Sequence, residues 1–262
     1  MNWDSDAEQA VRRAPFFVRK KIRTKVEETA RRAGADRVTM AHVQAARDHY
    51  VRNMESEVRG YQVETCFGQS GCPNRAVKDT GVADDLEKIL TRADLRSFIK
   101  NGVEGPLKLH HEFRVTIADC PNACSRPQIA DIGIIGARVL AVDKQVQCSQ
   151  CLACVDACKE NAVRCESESG PEINFDRCLA CGQCIEACPT GTLIEGDSGY
   201  RIQLGGRLGR HPRLAQELPG LRDPKGVSSL VGRTVELYKT KNCPGQRLAD
   251  MLDPEDLENL SS

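Results

Sequence analysis

Cys148-Ser149-Gln150-Cys151-Leu152-Ala153-Cys154-Val155-Asp156-Ala157-Cys158 returns thirty residues later as Cys178-Leu179-Ala180-Cys181-Gly182-Gln183-Cys184-Ile185-Glu186-Ala187-Cys188-Pro189. Both runs read C-x2-C-x2-C-x3-C, the spacing that holds a pair of [4Fe–4S] cubanes on a duplicated segment. Three closely spaced thiolates wrap three irons of one cubane, and the fourth, one helical turn on, reaches the other. The spacing assigns Cys148, Cys151, Cys154 and Cys188 to one cluster, and Cys178, Cys181, Cys184 and Cys158 to the second. Lys159 stands where proline follows the other run, a change that removes no ligand. Zinc is the alternative, but it prefers isolated four-ligand sets to two interleaved runs.

Residues 146–195 therefore read as an inserted bacterial-type two-cluster ferredoxin, and the surrounding chain must carry it. The chain has 262 residues, 40% hydrophobic, 4% aromatic and 28% charged, with fourteen cysteines. Small cores of this kind need a second source of stability, which metal binding supplies. Met1 to Asp6 is polar and no apolar run follows, so no secretory signal is expected. The longest apolar stretch, Ile132–Val142, is too short to span a bilayer. These features point to a reducing cytoplasm, with metal rather than disulfides on the cysteines.

Net charge is zero, from 37 basic and 37 acidic residues, which argues against a dedicated nucleic-acid binder. The distribution is uneven. Ten Lys or Arg face three acids between Arg12 and Arg37, and an acidic tail, Asp253–Glu258, offsets part of that.

Four blocks follow. Residues 1–55 read as three helices: Ala7–Arg13, Phe16–Arg32 with Phe16, Val18, Ile22, Val26 and Ala30 on one face, and a third N-capped by Thr39. Residues 56–145 with 196–262 form a mixed domain. Its expected strands are Val58–Glu64, Phe113–Ile117, a pair around Gly136 within Ile132–Val142, and Tyr200–Leu204. Its expected helices are Asp84–Asn101, Val227–Lys241 and Gln246–Leu252. The fold class is α+β: a helical head, a ferredoxin-like half-domain, and the insert at 146–195.

Cys66-x5-Cys72 follows one expected strand and Cys120-x3-Cys124 another. Four thiolates offered at two strand ends suit a third [4Fe–4S] cluster. Thr65-Cys66-Phe67-Gly68-Gln69-Ser70-Gly71-Cys72-Pro73 through Asp79-Thr80, with Asp119-Cys120-Pro121-Asn122-Ala123-Cys124, resembles the cluster-binding half of sirohaem sulfite and nitrite reductases. Gly199 to Pro212 is similar to that family as well, and some dissimilatory and anaerobic members carry a ferredoxin insert. The resemblance covers roughly residues 56–252. It implies that Cys124 bridges cluster and sirohaem iron, with Cys66, Cys72 and Cys120 completing the cubane. Sirohaem bears eight carboxylates, so Arg75, Lys78, Arg126, Arg207, Arg210 and Arg213 are the candidate cationic holders, each weighed against plain surface charge.

Full-length members have two pseudo-symmetric halves and this chain carries one. The resemblance thus implies a second chain, or a second copy, to close the substrate site, and a low-potential donor protein. Residues 3–48 resemble the small C-terminal domain of the light-independent protochlorophyllide reductase B subunit, through Trp3, Ala7-Glu8 and Arg13-Ala14-Pro15-Phe16-Phe17. The basic face of that head suits an acidic donor or tetrapyrrole carboxylates.

The function read from all this is electron delivery through two clusters to a third, sirohaem-coupled centre that reduces sulfite or nitrite. Whether the chain is itself the enzyme stays open. The alternatives are a three-cluster relay without tetrapyrrole that serves a partner reductase, and a tetrapyrrole-binding or maturation protein. His110 and His111 are candidate proton donors, weighed against a solvated loop pair. Cys165 and Cys243 are left over and read as small buried hydrophobes.

Overall fold

The computed structural model describes residues 1–78, 81–167, 170–241 and 245–261. Asp79, Thr80 and Cys243, which entered the sequence reading, lie outside them. The chain forms two compact units, residues 1–59 with 103–111, and residues 60–102 with 112–262.

The first unit is helical. A two-residue strand β1 (Asn2–Trp3) pairs in parallel with β2 (Arg37–Val38), and between and after them run α1 (Ser5–Arg12), α2 (Phe16–Arg32) and α3 (Met40–Glu57). Ala7, Val26, Ala30 and Val38 make its small core, with Ile22, Val43 and Ala46 against it. Phe16 departs from the expected face: it is 80% exposed and its neighbour Phe17 73%. Pro15 opens the helix immediately before them, so the first turn projects past the core. Thr39 caps α3 as expected, with the His42 ring accepting its backbone N–H. The basic head is partly neutralised from within, Arg12 and Arg23 pairing with Glu8, Lys25 with Glu28, Arg31 with Glu27, and Arg37 with Asp4. Residues 103–111 join this unit, the Leu107 N–H donating to Glu55 at 3.2 Å.

The second unit is built on a five-stranded mixed sheet, in the order β3 (Tyr61–Thr65), β4 (Phe113–Ala118), β5 (Ile132–Val142), β8 (Leu193–Leu204), β9 (Gln216–Glu217). The first three strands are parallel and the last two contacts antiparallel. Helices α4 (Val82–Arg92) and α5 (Leu95–Gly102) form the crossover from β3 to β4. The expectation was one helix from Asp84 to Asn101. It is broken at Asp94, which takes a left-handed φ of 45° and whose carboxylate accepts from the Ser97 N–H at the start of α5. The long α8 (Pro224–Lys241) packs beside α4, and Leu230, Val231 and Val235 of the one and Leu86 and Leu90 of the other are buried. The short α9 (Leu248–Met251) follows, and the acidic tail is a helix, α10 (Pro254–Ser261). Asp253 and Asp256 cap it reciprocally, each backbone N–H donating to the other's carboxylate.

Ile132–Val142 is one strand rather than a pair. Its first half lies between β4 and β8, where apolar residues on both faces suit a central strand. Its second half outruns β4 and continues with β8 as a two-stranded ribbon, bulged at Val139–Leu140. The cysteine insert hangs between the two ribbon strands: α6 (Ala153–Ala157), the hairpin β6 (Val163–Ser167) and β7 (Gly170–Ile173), then α7 (Gln183–Ala187). Leu140, Val163 and Leu193 form its core with Cys154 and Cys184.

Candidate functional site

Parallel β3 and β4 end side by side, and a parallel sheet presents its ligand-binding loops at those carboxyl ends. Cys66 leaves β3, its N–H bonded to the Ile117 carbonyl of β4. Its sulfur accepts from the N–H groups of Gly68 and Asp119, both at 3.3 Å. Cys72 follows one 3-10 turn later, after Gly71 at φ 99°. The loop after β4 turns at Ala123, φ 50°, between Cys120 and Cys124. Cys120 is buried, Cys66 and Cys72 are half-buried, and Cys124 is exposed.

Glycines let these loops close on the sheet. A Cβ on Gly136 of β5 would lie 2.5 Å from the Asp119 carbonyl, and one on Gly68 would fall on the Asp119 carboxylate. Burial pushes the Cys120 thiol up, against a hydrogen bond from Asn122, and negative charge on Cys66, Cys124 and Cys72 adds to it. Four thiols that repel one another when ionised are a donor set in want of cations.

The insert repeats this arrangement twice. Gln150 and Ala180, Leu152 and Gly182, and Asn161 and Gly191 all take positive φ, position for position thirty residues apart. Burial pushes the Cys184 thiol up to about 11, with Cys181, Cys178 and Cys158 adding to it. Burial likewise raises Cys154, whose further charged neighbours are Cys188 and Cys148. At Cys188 burial works against ionisation, but N–H groups of Leu193, Thr190 and Gly191 and the Thr190 hydroxyl outweigh it and hold the thiol low. The chain thus brings Cys158 to the second run and Cys188 to the first, the crossing that the spacing implies. Among the described residues no three His, Cys, Asp or Glu side chains converge as the ligands of one metal ion would. Two interleaved runs of four thiols have the spacing of a pair of cubanes, where zinc takes isolated four-ligand sets.

Cys165 is not a buried hydrophobe. It is half-buried, its sulfur 4.0 Å from that of Cys148, and burial followed by that neighbour raises its pKa. Its place on β6, one strand from the first run, carries no signal in the spacing.

A cavity of about 330 Å³ lies between insert and sheet loops. Cys158, Cys178, Cys181 and Cys184 line it, and so do Cys120, Pro121, Asn122 and Asn74. The second cysteine set and the third therefore share one wall.

The candidate cations divide. Arg75 faces Asp119 at 3.2 Å, Arg207 pairs with Asp250, and Arg213 donates to the Ala249 carbonyl. Lys78, Arg126 and Arg210 are exposed, and among the described residues none has an ion pair. Arg207 and Arg213 close a hairpin on each other's backbone, and the Ala215 N–H ties its base to Gln128, just past Cys124. Phe67, Leu208 and Leu214, all more than 65% exposed, belong to the same loops. His110 and His111 belong to the helical unit, ring centroids 4.2 Å apart, and not to the unit that carries the thiols.

A family model described as the nitrite and sulphite reductase 4Fe-4S domain matches residues 61–262, the whole span that carries these thiols. The chain belongs to that family. A second model, the proto-chlorophyllide reductase 57 kD subunit, matches residues 3–47. The coenzyme F420-dependent sulfite reductase of Methanocaldococcus jannaschii is 36% identical over 139 residues, 53% of this chain and 21% of that one. An anaerobic sulfite reductase subunit of Salmonella typhimurium is 29% identical over 194 residues, 67% of this chain and 52% of the other. The chain thus spans about half or less of the length of these relatives. Crystalline dissimilatory sulfite reductase I shares the fold, with TM-score 0.53 and 16% identity over 76% of this chain and 51% of that one. As a member of the nitrite and sulphite reductase 4Fe-4S domain family, the chain is an iron–sulfur, sulfite reductase-like electron-transfer protein. Among the described residues no helix is long and apolar enough to cross a membrane.

Proposed function

We propose that the chain passes electrons along three [4Fe–4S] centres. They enter at Cys148, Cys151, Cys154 and Cys188, cross to Cys178, Cys181, Cys184 and Cys158, and end at Cys66, Cys72, Cys120 and Cys124. The observation that carries this order is the shared cavity wall, where Cys120 and Cys158 line one space. The donor at the far end is a low-potential carrier protein.

In the same reading the last centre is coupled to sirohaem through Cys124, whose exposure leaves its sulfur open to an iron outside the chain. Sirohaem, when bound, would supply an iron at which a small sulfur or nitrogen oxyanion is reduced. Exposed Lys78, Arg126 and Arg210 offer cations to its carboxylates, and the exposed Phe67, Leu208 and Leu214 an apolar surface to its ring. Arg207 and Arg213 brace the hairpin that presents Arg210. A second chain, or a second copy, closes the substrate side.

One observation favours a relay without tetrapyrrole: Arg75, Arg207 and Arg213 already have partners within the protein. Holoprotein reduced with methyl viologen and offered sulfite or nitrite separates the two. Turnover by the isolated chain supports the coupled centre. Turnover only after a partner reductase is added supports the relay, and reduced clusters that no acceptor reoxidises would refute both.

A further inference from the structure

The two halves of the insert are alike in backbone, but one side chain breaks their symmetry. Arg138, on the ribbon half of β5, is held almost out of water, 15% exposed. Its backbone N–H donates to the Ala180 carbonyl at 2.7 Å, and it bridges to Cys181. Its guanidinium donates to the Gly182 carbonyl at 3.3 Å. Two carboxylates face it, Glu186 at 2.5 Å and Glu195 at 3.4 Å. Its buried Nε makes no hydrogen bond among the described residues.

The packing explains a difference between the repeats. Leu152 occupies the left-handed position of the first run, but its counterpart is Gly182, where a Cβ would lie 2.5 Å from the Arg138 Nε. The guanidinium fills the space that a side chain takes in the other loop. Two residues before Arg138, Gly136 backs onto Asp119, next to Cys120. One short stretch of strand thus braces the second run and the third centre together.

We propose that Arg138 is a positioning and potential-setting residue for the cluster at Cys178, Cys181, Cys184 and Cys158. The inference rests on the reading of that set as a [4Fe–4S] site. A cluster gains one negative charge on reduction, and a largely buried cation fixed beside it favours the reduced form. Arg138 therefore raises the potential of the cluster next to the third centre relative to the same loop without it, which favours passage of electrons inward. Glu186 and Glu195 moderate the effect.

The test is a redox titration of anaerobically prepared holoprotein, followed by EPR, with iron counted in each variant. Arg138→Gln is expected to lower one midpoint by about tenfold in the reduction equilibrium, roughly 59 mV for one electron, and leave the others in place. Arg138→Lys is expected to restore most of it. Glu186→Gln and Glu195→Gln keep the arginine and are expected to shift the same midpoint upward. They also decide the matter should Arg138→Gln lose its cluster. Unmoved midpoints in all variants, or shifts of one sign for arginine and glutamates alike, would overturn the proposal while leaving the cluster reading intact. Wild-type protein without iron at those four cysteines would overturn both.

Discussion

Gly182 and Leu152 occupy the same place in two copies of one loop, yet only one of them tolerates a side chain. Gly182→Ala places a methyl against Arg138 at a φ of 73°, so it combines backbone strain with a displaced guanidinium. The expected result is loss of one cluster, about four irons fewer per chain, and a melting temperature several degrees lower. Leu152→Gly relieves a left-handed leucine that costs about 1 kcal/mol, and is expected to keep all its iron. Iron analysis and thermal melts of the two variants check the pair. Cys124→Ser is expected to abolish pigment retention at the third centre and spare the insert's clusters. An absorption spectrum that retains the pigment would refute the bridging role. Single residues of this kind were partly legible beforehand. Cysteine spacing specifies which sulfurs group together, because covalent reach allows little else. It says nothing of Arg138 or Cys165, whose roles depend on a ribbon and a strand that bring distant segments into contact.

Among the elements, β5 and the C-terminal helices hold the second unit together through buried charge. Asp131, fully buried at the start of β5, accepts from Arg247 at 2.5 Å and from the Arg114 N–H at 2.9 Å. Removing one partner of a buried pair strands the other. Asp131→Ala is therefore expected to lose about 3–5 kcal/mol of unfolding free energy, read from the shift of a urea transition. At the opposite edge Arg201 and Gln203 clamp Glu217 of β9 at 2.7 and 2.9 Å. Burial opposes ionisation of Glu217, but Arg201 and then Gln203 outweigh it and hold the carboxyl below its usual range. A carboxyl with a lowered folded pKa stabilises above its unfolded value of about 4.3 and stops doing so as pH falls through the folded value. The melting-temperature gap between wild type and Glu217→Gln is expected to close on acidification below about pH 4. A gap that persisted or widened would contradict the assignment. Strand and helix identities came from apolar periodicity, which works for β4, α4 and α8. It fails where a local signal interrupts the pattern: Asp94 breaks an otherwise continuous apolar face. Asp253-Pro254-Glu255-Asp256 has the acid–proline–acid grammar of a helix start, but its charge alone reads as a solvated tail.

For the whole molecule, the lesson lies in how the insert is hung. β5 and β8 are central strands at one end and a ribbon at the other, so one continuous pair joins the sheet whose β3 and β4 loops hold the third set of thiols to the two-cluster loops. Electron transfer depends on fixed spacing, and a bulged antiparallel ribbon supplies more rigidity than a linker. The sequence showed that an insert exists but not that its flanks are continuous strands. Gly136 and the apolar run to Val142 read there as a pair. Twelve of the fourteen cysteines were assigned to three centres from spacing and resemblance; the structure brings Cys66, Cys72 and Cys124 near Cys120, Cys158 near Cys184 with Cys178 and Cys181, and Cys188 near Cys154 with Cys148. The sirohaem holders were far less legible, since an arginine that grips a carboxylate and one that grips Asp119 look alike in a sequence.

The most direct test of the sirohaem-coupled account is an anaerobic count of iron and acid-labile sulfide, paired with acid-acetone extraction. Three centres coupled to sirohaem predict about twelve irons and as many sulfides per chain in clusters, with a thirteenth iron leaving in an extractable tetrapyrrole; the relay without tetrapyrrole predicts about twelve and no pigment. About eight irons, with none at Cys66, Cys72, Cys120 and Cys124, would contradict both.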